Sequence, residues 1–167
     1  VGEPAQGADA GVDEVEALGV QVYHLGLGIF LLQGIAHCMH EVGFAEAGAD
    51  IVVASRRIES CEEVARAVEK LGRRAMAHAC HVGRWEGLEA LVEASYETFG
   101  HVDVLVNNAG MAPLYPSLAG VTEELFDKVL NVNLKAPFRL SALYGERMKA
   151  AGRGSIINIS SIAAVRP

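Results

Sequence analysis

Basic residues are missing from the first third of this chain: residues 1–55 hold no Lys or Arg and eight acids, Glu3, Asp9, Asp13, Glu14, Glu16, Glu41, Glu46 and Asp50. All 167 residues together carry 14 basic and 21 acidic side chains, a net charge of −7. That sign is wrong for a surface that neutralises phosphates, so nucleic acid and membrane are not expected as partners. Cysteine is scarce as well. Cys38, Cys61 and Cys80 are odd in number and lack Cys-x-x-Cys spacing, which excludes a disulfide framework and a cysteine-based zinc site and points to a reducing, cytoplasmic compartment. No metal is expected, since neither His37, His40 and Glu41 nor His78, Cys80 and His81 match a His-Glu-x-x-His pattern. The longest uninterrupted run of apolar residues and glycine, 25–32, falls far short of the roughly 20 residues a membrane-spanning helix requires. No positive charge precedes an apolar stretch at the start, so residues 1–10 do not read as a secretory signal.

Hydrophobic residues are plentiful at 51%, enough to bury a sizeable core. Residues 1–17, rich in Gly, Ala and acids without a strong period, read as a flexible lead-in, and 18–167 as one partial domain. Subtracting the first 55 residues leaves 14 bases against 13 acids, a net of +1, so the whole imbalance sits in the first third. Its text is expected to be partly out of frame or otherwise altered, with a divergent native N-terminus as the other reading.

From Asp50 onward the pattern becomes regular. Ile51-Val52-Val53-Ala54 suits a strand buried on both faces, and Ile58, Cys61, Val64, Ala65, Val68 and Leu71 recur at helical spacing before Gly72. A strand over 76–82 leads to a helix lined by Trp85, Leu88, Leu91, Val92, Tyr96 and Phe99 and closed by Gly100. A strand over 102–107 follows, then a helix capped by Thr122, a long helix over 134–149, and a strand over 155–160. An earlier strand is expected near 20–25. Strands alternating with helices predict an α/β fold with a doubly wound parallel sheet.

Asn107-Asn108-Ala109-Gly110 falls at the C-terminal end of a predicted parallel strand, where open α/β sheets bind ligands. Downstream come Asn133 within Asn131-Val132-Asn133-Leu134 and Ser161 at the end of another strand; upstream are Ala47-Gly48-Ala49-Asp50 and Ser55-Arg56-Arg57. In this order and spacing, residues 43–167 resemble the short-chain dehydrogenase/reductase family. The resemblance implies a truncated Rossmann-like domain and hydride transfer between a nicotinamide cofactor and a carbonyl or alcohol, by an Asn, Ser, Tyr, Lys set. It implies that Ser161 would hydrogen-bond the substrate oxygen, that Asn133 would hold a water of the proton relay, and that Asn108, Ala109 and Gly110 would border the cofactor. His81, beside Val82, stands where many members have an Asp that contacts the adenine amino group. Arg56 and Arg57 follow Ser55, which occupies the place of the acid that receives a ribose 2′-hydroxyl, so NADP(H) is preferred over NAD(H). A homo-oligomer is expected of the complete form.

Plainer readings stand beside these. Ser161 begins a β-α loop, Asn133 caps the helix over 134–149, Asn108 to Gly110 form a polar turn, and the two arginines are solvated. The family's Thr-Gly-x-x-x-Gly-x-Gly turn has no counterpart in either register, aligned at Gly34-Ile35-Ala36 or at Leu25-Gly26, and no Tyr-x-x-x-Lys occurs. The chain is therefore expected to be a fragment inactive on its own; the alternative is a non-catalytic nucleotide-binding or dimerisation module derived from the same family.

Overall fold

Three β-branched residues and an alanine in succession, with no polar side chain among them, are stable as a strand only when both faces are covered. In the computed structural model, which describes residues 27–31 and 38–160, Ile51, Val52, Val53 and Ala54 are the fully buried interior of strand β2 (Asp50–Ser55). Successive side chains of a strand point to opposite faces. Val52 and Ala54 accordingly join a core with Leu88, Leu91, Leu105, Leu140 and Tyr144, whereas Ile51 and Val53 join a second core with Ala45, Cys61, Val64, Val68, Val104 and Val106. Each Val, Leu or Ile among them contributes about 1.5–3 kcal/mol by leaving water.

The chain runs through β1 (Leu27–Leu31), α1 (Cys38–Glu46), β2, α2 (Ile58–Lys70), β3 (Ala75–Ala79), α3 (Glu86–Phe99), β4 (Val104–Asn107), α4 (Glu123–Leu130), α5 (Ala136–Ala151) and β5 (Ser155–Asn158). The sheet order is β3-β2-β1-β4-β5, and every neighbouring pair is parallel. This is the expected Rossmann-like arrangement. Its central strand corrects one expectation: β1 lies at Leu27–Leu31, inside the apolar run, and residues 20–25 lie outside the described residues, as do residues 1–17. Gly28 pairs with Ile51 on one side and Val104 on the other, the double neighbourhood that rewards an unbroken apolar segment.

Strand β3 ends at Ala79, short of the expected 82, although the Cys80 amide still donates to the Ser55 carbonyl at 2.8 Å. The chain then turns, with the Arg84 amide on the His81 carbonyl at 2.8 Å. Asp50 latches the entry to the same strand: its Oδ1 accepts from the Arg74 amide at 2.9 Å and pairs with the Arg73 guanidinium at 2.7 Å. Thr122 caps α4 as expected, its hydroxyl accepting from the Leu125 amide at 3.2 Å. A π-helical turn, Asn131–Lys135, joins α4 to α5 without a break.

Helices α3 and α5 pack through a buried hydroxyl pair. The Tyr144 and Ser95 oxygens lie 3.0 Å apart, and Ser95 also donates to the Leu91 carbonyl at 2.6 Å. Tyr96 stacks on Tyr144, and Arg147 covers the Tyr96 ring while pairing with Glu93. Beyond α5, Gly154 has φ +151°, and a Cβ there would lie 2.4 Å from the Met148 Cγ, so the turn into β5 admits only glycine. Among the described residues no helix is long and apolar enough to cross a membrane.

Candidate cofactor and relay site

Ligands of open parallel sheets sit outside the carboxyl ends of the strands, at the point where strand order reverses. Here that point lies between β1 and β4, and the residues singled out in the sequence emerge on either side of it. At the end of β2, Ser55 is half-buried, and its hydroxyl donates to the Arg57 carbonyl at 3.2 Å and lies 3.2 Å from the Cys61 sulfur. The serine therefore shapes the turn from which the exposed Arg56 and Arg57 side chains project. In the turn that follows the neighbouring strand β3, Val82 is buried and His81 half-buried. The His81 Nδ1 accepts from the Gly83 amide at 3.2 Å.

Across β1, the turn after β4 holds Asn108 and Ala109, half-buried, and Gly110, exposed. A Cβ added at Gly110 would meet, among the described residues, only the Asn133 Oδ1 at 3.9 Å. Asn133 closes on the same segment from the π-helical turn: its Nδ2 donates to the Met111 carbonyl at 2.8 Å, and its Oδ1 accepts from the Met111 amide at 2.9 Å. Asn133 is thus a clamp on the loop inside a continuous helix, which corrects the reading of it as a helix cap. An α-helix would pair the Asn133 carbonyl with the amide of residue 137, which is proline and has no N–H.

Sequence reasoning missed Asn107 and Ser141. Asn107 is 6% exposed, and its Nδ2 donates to the Asn158 Oδ1 at 2.9 Å and to the Ser141 hydroxyl at 3.2 Å, tying β4, β5 and α5 together at the carboxyl edge. The signal was there: an Asn closes each of two apolar runs, Val104–Asn107 and Ser155–Asn158, and the two pair in register. Its Oδ1 is buried with no partner among the described residues. Ser161 lies outside the described residues, and so do residues 32–37.

Burial lowers the affinity of His78 for a proton, and burial reinforced by the neighbouring Cys61 thiol pushes the Cys80 thiol up. Cys61 and Cys80 are both buried and unbridged.

The family model described as short chain dehydrogenase matches residues 31–167. Dehydrogenase/reductase SDR family member 4 of Pongo abelii is 37% identical over 123 residues, which cover 74% of this chain and 44% of that protein. The crystal structure of L-sorbose reductase from Gluconobacter frateurii complexed with NADPH and L-sorbose superposes with a TM-score of 0.78 at 33% identity, covering 87% of this chain and 57% of that one. A metagenomic short-chain oxidoreductase in complex with NADP gives a TM-score of 0.78 at 32% identity, with 85% and 65% covered. The chain spans about half the length of the curated relatives it matches.

Proposed function

The chain belongs to the short-chain dehydrogenase family, and from that premise we propose that the whole protein transfers hydride between NADP(H) and a carbonyl or alcohol substrate. The observation that carries this reading is the two-point clamp of Asn133 on Met111 beside the turn at Gly110. Bound NADP(H) supplies or accepts the hydride. On this reading Asn108, Ala109 and Gly110 border the cofactor, and His81 and Val82 face its adenine. Arg56 and Arg57 receive a 2′-phosphate on the turn that Ser55 shapes. The side-chain amide of Asn133 is turned toward Met111, and on this reading a relay water sits on its main-chain carbonyl, which Pro137 deprives of an α-helical donor. Ser161 hydrogen-bonds the substrate oxygen. Residues 18–167 make up part of the dinucleotide-binding domain, preceded by a lead-in at 1–17, and the buried, unbridged thiols suit a cytoplasmic location.

The test is binding. NADPH is expected to bind the purified chain more tightly than NADH, and the Arg56→Asp, Arg57→Ala double variant to lose that preference. A charge-assisted contact is worth about 1.5–3 kcal/mol, so the loss exceeds roughly tenfold. Equal affinities before mutation refute the 2′-phosphate assignment. The chain alone is expected to bind without turnover; carbonyl reduction by it, abolished in Ser161→Ala, counts against the fragment reading.

A second reading, a pairing module without catalysis, is favoured by Phe126, Leu134 and Phe138. They lie eight and four residues apart along the continuous helix and are 56%, 60% and 65% exposed. The same face would serve a homo-oligomer of the complete enzyme. A monomeric chain at high concentration speaks against it.

A further inference from the structure

The half-buried imidazole of His81 has one nitrogen already engaged. Nδ1 accepts from the Gly83 amide at 3.2 Å, and a nitrogen that accepts carries no proton, so the ring proton resides on Nε2. The turn is built for this contact. A Cβ on Gly83 would lie 3.1 Å from the His81 Cε1, 3.3 Å from its Nδ1 and 3.1 Å from the Val132 Cγ2, tighter than ordinary contacts, so glycine at 83 lets the ring and its acceptor sit against the backbone. The other ring nitrogen, Nε2, is consequently a donor.

We propose that His81 reads the base of the nucleotide with a donor, so that this site takes a purine bearing a 6-oxo group, as in hypoxanthine, at least as well as adenine. The inference rests on the assignment of His81 to the adenine side of the cofactor. A carboxylate at this position accepts from the 6-amino group. The Nε2–H of His81 cannot; it would meet that amino group donor to donor, whereas the 6-oxo group of hypoxanthine offers it an acceptor. Facing adenine, the imidazole has only ring nitrogens to donate to, with the amino group left unpaired. Sites that hydrogen-bond a polar group discriminate against partners that leave it unmatched.

The experiment is paired calorimetric titration of the 167-residue chain with NADP⁺ and with its deaminated form, in which hypoxanthine replaces adenine. It is accompanied by a ¹H–¹⁵N correlation spectrum of the imidazoles in the free chain. The deaminated cofactor is expected to bind as tightly as NADP⁺ or more tightly, and the spectrum to show His81 protonated at Nε2. In the His81→Asp variant the order is expected to turn toward adenine by about tenfold or more. Tighter binding of NADP⁺ to the unmodified chain, or a proton on Nδ1 of His81, overturns the proposal while leaving the cofactor site standing. Failure of both nucleotides to bind overturns the cofactor reading, and this inference with it. Neither measurement on the unmodified chain depends on a variant that folds.

Discussion

Replacing Asn133 with alanine removes two hydrogen bonds at a stroke, the one its Nδ2 donates to the Met111 carbonyl and the one its Oδ1 accepts from the Met111 amide. A side-chain hydrogen bond contributes about 0.5–1.5 kcal/mol net. Both of these are at exposed positions, where the freed Met111 groups regain water, so the pair is worth about 1–2 kcal/mol toward the lower end of that scale. Alanine also favours helix over asparagine by up to about 0.7 kcal/mol, which offsets part of the loss in global stability. Local opening is therefore the discriminating readout. Exchange of the Met111 amide should accelerate about 5- to 30-fold in Asn133→Ala, the factor that 1–2 kcal/mol represents. Asn133→Asp separates the two bonds: the carboxylate still accepts from the Met111 amide but cannot donate to its carbonyl, so that amide should keep most of its protection. Unchanged exchange at Met111 in the alanine variant refutes the clamp, and with it the idea that Asn133 holds the turn after β4 in place.

Two further outcomes follow from burial. Ser95→Ala should cost about 1–3 kcal/mol, because it strands the deeply buried Tyr144 hydroxyl, whereas Tyr144→Phe should cost about 1 kcal/mol, because Ser95 keeps its bond to Leu91; denaturant titration of the singles and the double should show the double less destabilised than their sum. Burial depresses the pKa of His78 below its ordinary 6.5, so the fold binds that proton more weakly than the unfolded chain does, and its contribution is complete above about 6.5 and lost as pH falls below it. The thermal midpoint should fall less between about pH 8 and pH 5 in His78→Gln than in the parent, and an equal fall in both contradicts the assignment.

The elements from Asp50 onward were legible because their signals are local. Ile51 to Ala54 can only be a doubly covered strand, and Cys61, Val64 and Val68 mark one buried face of α2. The boundaries that moved did so for reasons a single period cannot carry. Strand β3 stops at Ala79 where the chain turns at His81, and the helix after Thr122 runs on through a π-helical turn because Asn133 reaches a loop twenty-two residues earlier in the chain. The central strand was the hardest. An apolar run with glycines at 26 and 28 has neither the alternation of a half-buried strand nor the β-branched density of β2, and only its two neighbours, Ile51 and Val104 against Gly28, identify it.

The family resemblance attaches roles to positions just after parallel strands, and what is proposed for Arg56, Arg57 and Gly110 rests on it; it is silent where one residue acts on another. Asn107 and Ser141 could not be named from the sequence, because the bonds that link them span 34 and 51 residues and exist only once β4, β5 and α5 are assembled. Asn133 falls between these cases: its position was readable, but its side chain turns out to serve Met111, which moves the chemistry proposed for it to the backbone. That shift has a physical consequence. A relay water held by a carbonyl depends on the π-helical turn and Pro137 rather than on the amide of residue 133. Pro137→Ala, which restores a donor to that carbonyl, should therefore impair proton transfer in the whole enzyme while leaving the Met111 amide protected. If Pro137→Ala leaves proton transfer intact, or if it exposes Met111 as Asn133→Ala does, the carbonyl is not the group on which the water depends.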